Sequence, residues 1–150
     1  MRDAGPPTIL FEVFWTQQQR KRLVEQALAG TELPPEDYPF YVTIGADGPL
    51  TPTRMAELLM TPLSTVLFRC RRIERRGHAE RVRNPDDGRS FLLRLTPAGQ
   101  GLLDAARPAF RSYAEAVEAR LGDAQVDALK SGLAAIRDAI DEELTARQAR

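Results

Sequence analysis

Between residues 81 and 97 the chain reads RVRNPDDGRSFLLRLTP, so that Arg81, Arg83, Arg89 and Arg94 stand around a Pro85-Asp86-Asp87-Gly88 turn. Guanidinium groups are permanently charged, fork-shaped donors that match phosphate and carboxylate oxygens, and this spacing suits the holding of a polyanion. It does not suit bond breaking. Asp86 and Asp87 are adjacent on one turn and cannot flank a substrate, and no Ser/His/Asp set or phosphate-cradling glycine loop accompanies them. His78 is the only histidine and Cys70 the only cysteine, which leaves no zinc ligand set and no internal disulfide. The residues predict no enzyme, no metal site and no cofactor.

The charge is unevenly placed. Formal net charge is zero over 150 residues, yet residues 54–94 hold ten arginines and five acids, a net of +5 that the rest of the chain balances with −5. A basic block in a neutral chain points to a polyanionic partner; the alternative is a solvated helical face with its own ion pairs, such as Glu74 with Arg71. With 43% hydrophobic residues, no apolar run near the ~20 residues that span a bilayer and no basic-then-apolar leader, the composition predicts a soluble, cytoplasmic chain without a membrane partner. Its length suits one domain, residues 1–150, which either buries one core of its own or forms a subunit whose remaining apolar surface meets a copy of itself.

Three Thr-Pro pairs, Thr51-Pro52, Thr61-Pro62 and Thr96-Pro97, each stand at the head of a helical pattern. Threonine caps the orphan amides and proline fits the first helical position, so each pair is expected to begin a helix. The first should run from Thr51 to about Met60 and bury Met55, Leu58 and Leu59. The second should run from Thr61 to about Arg76 and end at Gly77, with Leu63, Val66, Cys70 and Ile73 forming its buried stripe. Cys70, inside that stripe, reads as a small core residue rather than a redox sensor, and His78 as a loop or partly buried histidine. Ala79 to Arg83 and Ser90 to Leu95 read as strands joined by the turn. The order is helix, tight turn, helix, basic hairpin.

Longer helical patterns flank this block. Residues 8 to 30 form one, followed by the Leu33-Pro34-Pro35 break and a short helix from Pro35 to about Gly45. Leu103, Ala106, Phe110, Tyr113, Val117 and Leu121 form an apolar stripe, which Val126, Leu129, Leu133, Ile136, Ile140 and Leu144 resume after Gly122-Asp123, in the manner of coiled-coil seams. Pro108 should kink the first of these helices.

The stretch MAELLMTPLSTVLFRCRRIERRGHAERVRNPDDGRSFLLRLTPAG resembles the MarR (multiple antibiotic resistance regulator) family of winged-helix transcription regulators. It matches, in order, the alanine-containing first helix, the Ser-Thr-Val recognition helix, the Glu-x-x-Gly exit, the Glu-Arg strand, the Asp-x-Arg wing and the Leu-Thr-x-x-Gly return. The resemblance implies a mainly α (α+β) fold: a winged helix-turn-helix with a β-hairpin wing, and long N- and C-terminal helices forming a dimerisation region. The DNA-binding lobe would cover about 46–96 and the dimerisation helices about 8–30 and 97–146. The implied function is that of a sequence-specific, double-stranded DNA-binding regulator, a ligand-responsive repressor acting as a homodimer on a pseudo-palindromic operator.

Carried onto this chain, Ser64, Thr65 and Phe68 would meet the major groove, with Arg69 and Arg72 as further DNA contacts. Arg89 would enter the minor groove, while Asp87 orients that arginine or braces the turn. Gly88, Phe68 and Asn84 depart from the commoner arginine, basic residue and aspartate of the family. The family's small, often aromatic, effectors suggest a pocket drawing on Phe14, Trp15, Phe40, Tyr41 and Phe110; core packing is the other account of these rings. A different class of function for the same surface is a winged-helix protein-interaction module with no operator of its own.

Overall fold

The computed structural model describes residues 8–148, which form α1 (Ile9–Leu28), α2 (Tyr38–Asp47), α3 (Pro52–Leu58), α4 (Leu63–Arg75), β1 (Ala79–Arg83), β2 (Phe91–Leu95), α5 (Pro97–Leu121) and α6 (Asp123–Gln148). Two compact units divide the chain, one ending at Phe110 and the other beginning at Arg111, so the boundary falls within α5. No described helix is long and apolar enough to cross a membrane.

The core of the first unit is built from Leu28, Leu33, Tyr41, Ile44, Met55, Val66, Ile73, Leu93 and Leu103, each at most 2% exposed. These come from α1 to α4, β2 and the start of α5, so a single cluster ties the helix-turn-helix to its neighbours. β1 and β2 pair antiparallel with Ala79 opposite Leu95 and Arg83 opposite Phe91. Leu50 adds a third, one-residue rung: its N–H donates to the Leu93 carbonyl at 3.1 Å and the Leu93 N–H returns the bond at 2.8 Å. The result is a winged helix-turn-helix.

Local chemistry explains most of the boundaries. Thr51 caps α3, its hydroxyl accepting from the Arg54 N–H at 3.1 Å. Thr96 does the same for α5, accepting from the Gly99 N–H at 3.2 Å while donating to the Gly77 carbonyl at 2.7 Å. Gly77, with φ +73°, ends α4: its N–H reaches the Glu74 carbonyl at 2.8 Å, and the His78 N–H reaches back to Ile73 at 3.1 Å. This is a Schellman ending, in which glycine supplies the left-handed residue without steric cost. A side chain at Gly99 would collide with the His78 carbonyl, so the crossing of the hairpin base over α5 needs glycine there.

Two expectations about these boundaries and faces fail for identifiable reasons. Thr61 caps nothing, because α4 begins at Leu63 with Pro62 in the cap position. The preceding helix uses Thr61 instead. Its N–H reaches the Ala56 carbonyl at 3.0 Å and that of Met60 the Glu57 carbonyl at 3.2 Å, another Schellman ending, here with a non-glycine residue at φ +47°. The Thr61 hydroxyl donates to the Leu59 carbonyl at 2.9 Å. Leu58 was expected in the core but is 42% exposed, since the seven-residue α3 turns only one narrow face, through Pro52 and Met55, inward. Pro108 leaves α5 a single helix from Pro97 to Leu121. Both Pro108 and Asp104, whose carbonyl lacks its usual donor, face solvent, so water can replace the missing N–H.

In the second unit, the remainder of α5 and α6 meet at Gly122, with φ +78°. Lys130 lies 3.9 Å from Glu118 across the turn. No residue of α6 is buried, and Tyr113, Val117, Leu129, Leu133, Ile140 and Leu144 are all exposed. An apolar stripe of this length is left without a cover.

Candidate nucleic-acid interface

Helix α4 divides into faces of different character. Val66, Cys70 and Ile73 are at most 1% exposed and form the buried stripe, whereas Leu63, expected to continue it, is 43% exposed at the first position of the helix. Burial pushes the Cys70 thiol up to about 11, with Glu74 adding to the rise, so near neutral pH it is a protonated core residue. On the opposite face Ser64, Thr65, Phe68, Arg71 and Arg75 are exposed, Phe68 to 57%. Their spacing of four, three and four from Ser64 through Phe68 and Arg71 to Arg75 places them along one line of the helix. Phe68, Arg71 and Arg75 border a concave surface together with Glu74.

The wing is braced by its polar side chains. Asn84, 8% exposed, donates through Nδ2 to Ser90 Oγ at 2.7 Å and accepts from the Asp86 N–H at 3.1 Å. Asp87 accepts from the Arg89 N–H at 2.9 Å. Of its two expected roles, Asp87 therefore takes the second and holds the turn, leaving the Arg89 guanidinium without an ion pair among the described residues. A groove of ≈ 430 Å³ joins the wing to the helix-turn-helix, bordered by Thr51, Thr53, Leu63, Leu67, Asp87 and Arg89. The wing is also fastened to α4. Arg81 donates to both carboxylate oxygens of Glu74, at 2.6 and 3.1 Å, and its guanidinium lies 4.1 Å from the centre of the Phe91 ring. Arg94 pairs across the strands with Glu80 at 2.6 Å.

Arg69 and Arg72, expected among the DNA contacts, are turned elsewhere. Arg69 Nη1 lies 3.0 Å from Asp37 Oδ1, Arg72 Nε 3.4 Å from Asp37 Oδ2, and Arg76 Nη1 3.2 Å from the same oxygen. Asp37 is wholly buried, and a buried carboxylate requires such partners. Glu36 adds a second carboxylate, 3.3 Å from Arg72 and 3.6 Å from Arg69. A backbone hydrogen bond, with Arg72 and Arg69 beside it, holds the Glu36 carboxyl below the usual range. In the sequence Glu36-Asp37 merely followed a proline break.

The five expected pocket residues are not brought together. Phe40 and Tyr41 are core residues at 6% and 0% exposure, and the Tyr41 hydroxyl is hydrogen-bonded to His78 Nδ1 at 2.8 Å. Phe14 and Trp15 are about half exposed on α1, whose buried residues lie only at its far end, Val24, Ala27 and Leu28. Phe14 borders a shallow groove of ≈ 360 Å³ with Thr8, Leu10 and Phe11, and Phe110 a separate, larger one of ≈ 620 Å³ with Arg20, Lys21, Val24, Tyr38 and Val42. There the Tyr38 and Phe110 rings lie 5.0 Å apart. Aromatic composition did not distinguish core rings from groove rings.

No family profile matches the chain. Its sequence is 25% identical over 92 residues to the multiple antibiotic resistance protein MarR of Salmonella typhimurium, a match that covers 61% of this chain and 64% of that protein. The chain thus spans just under two-thirds of the length of this curated relative. A probable transcriptional regulator from Pseudomonas aeruginosa superposes with a TM-score of 0.77 at 28% identity, covering 86% of this chain and 96% of that one. The transcriptional repressor CouR, in a crystal with a 23-mer DNA duplex, superposes with a TM-score of 0.78 at 24% identity, over 87% and 92% of the two chains. By its winged helix-turn-helix and by these matches, the chain is similar to MarR-type winged-helix proteins.

Proposed function

We propose that this protein is a sequence-specific, double-stranded DNA-binding transcription regulator rather than an enzyme, acting in the cytoplasm as a homodimer on a pseudo-palindromic operator. One observation carries the reading. The guanidiniums of Arg71 and Arg75 on the open face of α4, and of Arg89 on the wing, have no ion pair with any described residue, and they border neighbouring concave surfaces of the same lobe. Free cations at a helix-turn-helix and its wing are what phosphate contact requires. In this reading α4 enters the major groove, where Ser64 and Thr65 donate or accept at base edges and Phe68 presses a thymine methyl. The turn that Asp87 and Asn84 hold presents Arg89 to the minor groove. Arg69 and Arg72 are left out of the DNA-facing set.

The second copy covers the exposed apolar residues of α1, α5 and α6, a surface too long for an isolated chain. A small aromatic effector occupies the groove around Tyr38 and Phe110, with Arg20 and Lys21 available to an acidic group, and its binding releases the repressor from DNA. The deciding experiment is repeated selection from a pool of random duplexes at near-physiological salt, followed by sequencing. Enrichment of an inverted repeat is the expected result. Weak, salt-sensitive retention with no enriched sequence would instead favour the protein-interaction module.

A further inference from the structure

Asp37 occupies the cap position of α2, yet its carboxylate accepts from no helix amide. It is spent on α4 and the residue after it: Arg69, Arg72 and Arg76 all reach it, while Arg71 and Arg75, on the neighbouring face, do not. Five arginines within eight residues are thus sorted by one buried carboxylate, three held and two released. On the DNA-binding reading, which this inference presupposes, sorting has a consequence. Phosphate attraction is blind to sequence and strengthens with every cation that reaches the backbone, whereas discrimination comes from the base-facing side chains. A lobe with all five guanidiniums free would hold any duplex tightly and gain little at its own site.

We propose that Asp37 is a specificity-determining residue: an internal anion that keeps Arg69, Arg72 and Arg76 off the DNA phosphates and so limits the sequence-independent share of binding. It is a positioning residue, acting through the arginines and touching no DNA itself. Glu36 supports it from the surface, at 3.3 Å from Arg72. A purely structural clamp makes the opposite prediction, because loosening α4 would weaken binding to every duplex.

The test compares Asp37→Asn with the unaltered chain, using random-sequence duplexes and the sequence most enriched by the unaltered chain, over a salt series. The slope of log affinity against log salt should steepen by ~0.9 for each arginine that reaches a phosphate. With two released, the affinity gained by random duplex between about 200 mM and about 50 mM salt should grow roughly tenfold more than for the unaltered chain, and the enriched-to-random ratio at low salt should fall. A folded variant with an unchanged or shallower slope overturns the proposal. Should Asp37→Asn not fold, Arg72→Gln decides: its slope should stay unchanged, and a slope shallower by ~0.9 would mean that Arg72 leaves Asp37 for a phosphate, which also overturns it. Failure of the unaltered chain to hold any duplex is distinguishable from both, since it removes the DNA-binding reading before a variant is compared.

Discussion

Arg71 and Arg72 are neighbours in the chain and meet opposite surroundings. Arg72 faces Asp37 and Glu36 and keeps only 28% of its side chain exposed, while Arg71 looks outward beside Phe68 with no ion pair among the described residues. The wing repeats the contrast, with Arg81 locked onto Glu74 and Phe91 while Arg89 stands free. Net charge therefore overstates what a basic block offers to a polyanion. Arginines paired with internal carboxylates hold the lobe together, and the unpaired remainder is what a phosphate backbone can meet.

The contrast between inner and outer faces of α4 should appear most strongly in stability. Ile73 is fully buried, so Ile73→Ala removes packed methylenes and leaves a cavity, at a cost of about 2–5 kcal/mol in unfolding free energy. Phe68→Ala, five residues earlier on the exposed side of the helix, should fall within about 0.5 kcal/mol of the unaltered chain. Chemical denaturation of both variants reads the difference, and equal losses would show that Phe68 packs in solution. Next in size is the wing pair. Arg89→Ala should weaken binding to the enriched duplex by roughly tenfold or more, on the order of 1–3 kcal/mol, with unfolding and oligomeric state unchanged. Arg81→Ala should do the reverse, lowering stability first because it leaves Glu74 without its partner. Similar binding losses with no change in stability would erase the distinction.

Those elements whose causes are local were legible in the chain. Thr51-Pro52 and Thr96-Pro97 cap their helices, Gly77 ends α4, and the strand Ala79–Arg83 has the expected bounds. Each depends on residues within a turn or two. Asp37 was not legible, because its partners Arg69 and Arg76 lie 32 and 39 residues further on and nothing in the spacing assigns an arginine to a distant carboxylate. The scatter of the expected effector residues was illegible for a related reason. Phe40 and Phe110 are alike as letters, and only packing shows that one fills the core while the other borders a groove.

Thr51 and Thr61 offer a smaller contrast of the same kind. Thr51→Ala removes the acceptor for the Arg54 N–H and should cost about 1 kcal/mol. Thr61→Ala removes only a bond to the Leu59 carbonyl in a turn already closed by backbone N–H groups, and should cost less than half as much. Thermal unfolding with matched buffers separates them, and equal shifts would mean that Thr61 contributes to α4 after all.

The smallest effect expected comes from the outer carboxylate of the arginine clamp. Glu36 has a folded-state pKa below its unfolded value, so it binds fewer protons when folded. Its contribution is fully present above the ordinary carboxylate range and is lost as pH falls through that range and the lower folded value. Because the side chain is 48% exposed, water and salt screen the pair, and the contribution should stay below about 1 kcal/mol. Glu36→Gln removes this dependence. Its stability should lie slightly under that of the unaltered chain at neutral pH, and the two curves should converge on acidification. Parallel curves down to acid would show that Arg69 and Arg72 depend on the buried Asp37 alone.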